Sequence, residues 1–201
     1  MNFFNKLIKN RWFIFILLLL DIFGFCFALY TYWPSILRYS YLDKVYLAPL
    51  FMISFWMFFL PAILLVYIFF KRKIPEFLGG LSFLYVFIYG FGSFLFYPLF
   101  MIFIRGLTAY HLWNVFAHLF IALQSFLFLK YVKKPRVNYI FILGVIFLVK
   151  FYLDLFQGTF LYFVDNPFPP WLKFTLLFIM LILLFLGLYL LSKFSQGKRL
   201  K

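Results

Sequence analysis

Long apolar runs separated by short basic clusters set the pattern of this chain. Six runs are long enough to carry an α-helix across ~30 Å of hydrocarbon, which takes roughly 20 residues. They are Trp12–Trp33, Tyr46–Phe70, Leu78–Ile104, Ala109–Val132, Tyr139–Val164 and Trp171–Leu191. The pattern predicts an all-α fold: one polytopic transmembrane helical bundle over residues 1–201, with six spanning helices that tilt or protrude where a run is long. The first run exceeds the roughly 7 to 15 apolar residues of a signal peptide, and no small-x-small cleavage site follows it, so it is expected to be retained as a helix.

Polar residues inside the runs fall on defined faces. Thr108–Ser125, TAYHLWNVFAHLFIALQS, carries His111, Asn114, His118 and Ser125 at helical spacing. These four share one face, and in hydrocarbon such a face must turn toward protein or water. In the first run Asp21, Gly24, Ala28 and Thr31 share a face, as do Gly79, Ser82, Gly90 and Ser93 in the third, through Val86. Small residues at such spacing mark close helix packing, which we favour over a substrate path for Gly24, Ala28, Ser82, Gly90 and Ser93. In the fifth run Lys150 and Asp154 stand four apart, with Gln157 one turn further on. The second and sixth runs carry no ionisable group near their middles and are expected at the periphery.

Depth follows from the ~1.5 Å rise per residue. Counted from the outer ends of their runs, His118, Asp154 and Asp21 lie roughly 14, 15 and 18 Å deep. A charge at mid-bilayer costs a few kcal/mol, so groups at one level should seek each other. The expected site is therefore a buried cluster of Asp21, His118, Lys150, Asp154 and Gln157. With both aspartates ionised and Lys150 protonated the cluster sums to minus one, and a proton on His118 neutralises it. The same cluster would serve equally to lock helices one, four and five together.

Composition removes the soluble classes. Apolar residues make up 67% of the chain and charged residues 12%, against about 25% charged in an ordinary soluble domain. The net charge of +14 would suggest nucleic acid, but the placement of the basic residues gives another reason for it. Fourteen of the nineteen lie on one side: Lys6, Lys9, Arg11, Lys71, Arg72, Lys73, Lys130, Lys133, Lys134, Arg136, Lys193, Lys198, Arg199 and Lys201. Arg38, Lys44, Arg105 and Lys173 lie on the other side, with Lys150 within a run. This asymmetry predicts both termini in the cytoplasm, an even number of spans and residence in the cell membrane. The partners expected are the bilayer itself, anionic lipids on the cytoplasmic side, and a membrane-protein partner or second copy of the chain, with no nucleic acid.

Tyr30, Tyr32, Trp33, Tyr39, Tyr41, Tyr46, Tyr110, Trp113 and Trp171 crowd the outer boundary and read as an aromatic belt. Asp165–Trp171, DNPFPPW, with three prolines in seven residues, is expected as a rigid outer cap. Pro49, Pro61 and Pro98 are expected to kink helices. The lone Cys26 excludes an intramolecular disulfide.

No catalytic residue is assigned, since the chain has no GxSxG motif. No metal site is assigned either: His111 and His118 are separated by ~10 Å along a helix, and no HExxH motif is present. No cofactor is predicted, and a haem or quinone-linked redox role is the least favoured reading.

Several of these segments resemble the YpjA-like family of small multi-pass membrane proteins, a family defined as a domain of unknown function. DIFGFCFALYTYW is similar to that family's Asn-x-x-Gly followed by a Tyr-rich exit, with Asp21 where Asn is usual. Tyr89-Gly90-Phe91 is similar to a Lys-Tyr-Gly-Ile-Trp pattern, with Ile88 in place of the lysine. His118 matches a fourth-helix histidine, and Asp154 the first acid of an Asn-Asp-x-x-Asp-Tyr run in which Gln157 replaces the second. The Pro-rich stretch ending at Trp171 is similar to a Met-Pro-Trp-Tyr segment. The resemblance implies a multi-pass helical fold and assigns no activity.

Two function classes stand ahead of the redox one. The first is a small transporter-like protein that binds or moves a proton or small polar solute through the buried cluster. The second is a non-catalytic membrane subunit or assembly factor in which the same residues fix helix packing.

Overall fold

A computed structural model describes residues 10–41, 52–156 and 168–196. It is helical throughout its regular structure: α1 (Arg11–Tyr41), α2 (Ile53–Phe69), α3 (Glu76–Phe100), a π-helical turn (Met101–Arg105), α4 (Ala109–Tyr131), α5 (Val137–Phe156) and α6 (Pro170–Phe194). Five of these helices are long and apolar enough to cross a membrane. With its 17 residues, α2 stands at the short end of the spanning range. Residues 46–51 of the predicted second span, residues 157–164 of the fifth, Pro49, Gln157 and Asp165–Pro167 of the expected cap lie outside the described residues.

The largest departure from the expected boundaries is α1, which continues through Pro34 and ends eight residues beyond Trp33. A helix that leaves hydrocarbon need not stop there, so an aromatic exit marks the membrane boundary and not the helix end. Helices α2 and α3 likewise run through Pro61 and Pro98, and the π-helical turn begins three residues after Pro98, a common response to a proline in a helix. At the start of α4, Thr108 is an N-cap that accepts a 3.1 Å bond from the His111 backbone N–H. Gly106 precedes it with φ of 73°, a left-handed conformation that favours glycine. In α6, Pro170 occupies the first turn, where its missing N–H costs no helix bond.

Helix α3 is the hub: it packs against α2, α4, α5 and α6. Gly90 permits its closest approach, because a Cβ there would lie 2.9 Å from Ala122 Cα on α4. Buried Phe83, Phe87, Phe96 and Phe100 of α3 fill the centre together with Phe128, Phe147 and Phe151. The expected peripheral place of α2 is corrected: it lies between α1 and α3, with Met57, Leu64 and Leu65 fully buried. Helix α6 packs on α3 and α5 and is no more peripheral than α1 or α5. Absence of ionisable groups does not report position here, because lipid tails and a bundle core are equally apolar.

The basic clusters gather at one rim of the bundle. Glu76 at the start of α3 pairs with Lys133 and Arg136 beyond the end of α4. The Gln196 backbone N–H donates to Leu129 O at 3.0 Å, and the Arg11 guanidinium sits 5.8 Å from the Phe69 ring centroid. These contacts bring the start of α1, the α2–α3 and α4–α5 turns and the end of α6 to the same level. Lys6, Lys9, Lys198, Arg199 and Lys201 lie outside the described residues.

Helix α5 shows most directly what kind of solvent the bundle is built for. Its exposed stripe is Val137, Phe141, Val145, Leu148, Tyr152 and Phe156, while Lys150 and Asp154 are buried. A helix in water would present the opposite arrangement. Polar groups inside and apolar groups outside are what a hydrocarbon solvent selects.

Candidate functional site

The i, i+4 spacing of Lys150 and Asp154 places both on the buried face of α5, and the Lys150 ammonium donates to Asp154 Oδ1. From α3, Tyr89 Oη donates to Asp154 Oδ2 at 2.6 Å, so each carboxylate oxygen has a donor. The Lys150 Nζ also stands 5.4 Å from the Tyr89 ring centroid, within cation–π range. Around this triad, the Tyr85 ring lies 4.6 Å from that of Tyr89, and Phe147 and Phe151 pack against Tyr89 at 6.4 Å each. An ion pair is thus held in an aromatic enclosure, where low polarity strengthens the attraction and makes an unpaired charge costly.

Beside the triad lies a cavity of about 20 Å³ between α3, α5 and α6. Tyr89, Ser93, Phe96, Asp154, Leu176 and Met180 are among its lining residues. Roughly 10 to 15 Å³ accommodates one water, so the cavity fits a water and no larger solute. Its lining is mostly apolar, with Tyr89, Ser93 and Asp154 as the side chains that carry polar atoms.

The expected single cluster is corrected to three separate sites. Asp21, fully buried on α1, accepts a 3.2 Å bond from Gln124 Nε2 on α4. His118 Nδ1 donates to Asn114 O of its own helix at 2.7 Å, and its ring lies 5.2 Å from that of Tyr97 on α3. Neither Asp21 nor His118 bonds to Lys150 or Asp154. His118 packs on Tyr97 and Asp154 bonds to Tyr89, two α3 residues eight apart and ~12 Å along the axis. Asp21 and Asp154 are separated differently. Gly90 of α3 meets Ala122, two residues before Gln124, while the adjacent Tyr89 points ~100° away toward α5. The side of α3 that meets α4 near Gln124 therefore differs from the side that holds Asp154.

No protein-family model matches this chain, and no curated protein or solved structure matches it.

The secondary polar face of α4 is satisfied locally. His111 Nδ1 lies 2.8 Å from Thr108 Oγ1, Asn114 Nδ2 donates to Tyr110 O at 3.0 Å, and Ser125 Oγ donates to Ala122 O at 2.6 Å. Among the packing residues, Gly24 faces the Phe58 ring of α2, Ala28 and Ser82 are buried, and Ser93 lines the cavity. Gln157 lies outside the described residues. Among the described residues, no three His, Cys, Asp or Glu side chains gather as metal ligands would.

Two site residues escaped the sequence reading. Gln124 is one position off the line through His111, His118 and Ser125, and so falls ~100° from the face that spacing picks out. Tyr89 is one of fifteen tyrosines, and the Tyr89-Gly90-Phe91 motif gave it no site role; its signal would be a hydroxyl level with a buried acid on a neighbouring helix.

Proposed function

We propose that this chain is a multi-pass protein of the cell membrane, its basic rim toward the cytoplasm, that binds and passes a proton at the Lys150–Asp154–Tyr89 site. The observation that carries this reading is a buried acid, bound at both oxygens, beside a cavity the size of one water. That volume favours a proton over a small polar solute among the cargoes the chemistry allows. A proton arriving by way of the cavity meets Asp154 first. Protonated Asp154 releases Lys150 from the pair, and Lys150 retains the Tyr89 ring. Asp154 gives up the same proton when it re-forms the pair with Lys150, so uptake and release require only short side-chain movements.

The test is proton flux into vesicles reconstituted with the purified chain and driven by a potassium diffusion potential. Wild-type flux should exceed that of empty vesicles, and Asp154→Asn should remove the excess at matched amounts of inserted protein. No excess in the wild type would overturn the reading.

A second reading rests on the same bonds as helix ties. Asp21–Gln124 joins α1 to α4, and Asp154–Tyr89 joins α5 to α3. A non-catalytic subunit or assembly factor would use them to hold its shape for a membrane partner. In that case Asp154→Asn should lower the amount of protein in the membrane and change what co-purifies with it.

A further inference from the structure

The contact between Asp21 and Gln124 leaves a specific imbalance. Gln124 Nε2 donates to Asp21 Oδ1 at 3.2 Å, yet Asp21 Oδ2 and Gln124 Oε1 are both buried without a hydrogen-bond partner. Both orphaned atoms are acceptors if Asp21 is a carboxylate, and they belong to the two groups already joined. One proton on Oδ2 converts it into a donor for Oε1 and satisfies both atoms at once. No rotation of the Gln124 amide achieves this without that proton, because the pair would still hold one acceptor too many.

The surroundings offer no counter-charge. Helix α2, on which α1 packs, has Tyr67 as its one ionisable side chain. On α4, His118 and Lys130 each stand six residues from Gln124, ~9 Å along the axis in opposite directions. His118 is engaged with Asn114, and Gln124 is the one hydrogen-bond partner of Asp21 among the described residues.

We infer that Asp21 is a second proton-binding site, holding its proton as a neutral carboxylic acid closed onto Gln124 by two hydrogen bonds, and that loss of this proton unfastens α1 from α4. The site is distinct from the Asp154 site and does not depend on it. Helix α1 otherwise packs mainly on α2, so this bond is its polar hold on the rest of the bundle. A deprotonated Asp21 would keep a single amide donor and draw water toward the α1–α4 contact. The pair is thus a proton-dependent latch.

Asn is the neutral isostere of the acid and can form the same two bonds with Gln124. Infrared spectra of the chain in lipid, with aspartate isotope-labelled at the side-chain carboxyl, test the assignment. At neutral pH we expect a labelled carboxylic-acid C=O band that is lost in Asp21→Asn and kept in Asp154→Asn. In Gln124→Leu the band should move to higher frequency, because the acid loses its partner. A labelled carboxylate signal from Asp21 at neutral pH, or an acid band unmoved by Gln124→Leu, would overturn the inference. Thermal melts provide a second readout: Asp21→Asn should match the wild type at acidic pH and outlast it at alkaline pH. Equal pH dependence in the two proteins would contradict the latch.

Discussion

Lys150 and Asp154 are worth more as partners than either is alone. Removing one member of a buried pair strands the other charge, a loss of about 3–5 kcal/mol, whereas replacing both with apolar groups of similar size costs far less. We therefore expect Lys150→Met to destabilise the bundle strongly and Lys150→Met with Asp154→Leu to recover most of the loss, as measured by reversible unfolding in detergent micelles. Tyr89→Phe should cost about 1.5–3 kcal/mol by the same measurement, the range for a hydrogen bond to a charged group. Equal stability of the single and double variants would mean that the pair is not coupled. The pair was legible in the sequence because i, i+4 spacing fixes a shared face whatever the tertiary context. The link from Asp154 to Tyr89 was not, since it depends on the rotation of α3 about its axis, which no local pattern encodes.

At the level of helices, the α3–α4 seam depends on Gly90. A methyl group there would press on the Ala122 backbone at 2.9 Å, and Gly90→Ala should cost about 1–3 kcal/mol as the helices separate. Gly144→Ala on α5 is the matched control: its nearest neighbour is a Leu188 methyl at 3.7 Å. There the gain in helix propensity should stabilise by up to about 1 kcal/mol. Thermal stability of the two variants, compared in one detergent, separates a packing glycine from a permissive one. If Gly90→Ala were neutral, the close approach would not govern the seam. Helix existence and rough extent were legible from the apolar runs, but the end of α1 was not. Trp33 and Pro34 look like an exit, yet α1 continues to Tyr41. Asp21 meets Gln124, a partner set by how α1 and α4 are turned toward each other.

Across the molecule, the arrangement is apolar outside and polar within, with the basic clusters at a single rim. Spin labels placed along α5 should report it. Labels at Phe141, Val145 and Leu148 should be relaxed by oxygen dissolved in the lipid, and labels at Leu143 and Phe147 should be shielded. A reversed pattern would contradict the packing of α5. The membrane class and the basic rim could be read from composition and charge placement, because hydrocarbon imposes them on the whole chain. The grouping of ionisable residues could not, because residues at similar depth still meet only if the rotation of each helix turns them toward one another.

We assign proton passage to the Asp154 site and not to the chain's ionisable groups collectively. Flux through vesicles containing Asp154→Asn or His118→Ala, at matched amounts of inserted protein, separates the two. His118 packs on Tyr97 and bonds to its own helix, whereas Asp154 bonds to Tyr89 and Lys150, so His118→Ala should keep wild-type flux while Asp154→Asn loses it. Equal loss in both variants would restore the single cluster, and equal retention would remove Asp154 from the path.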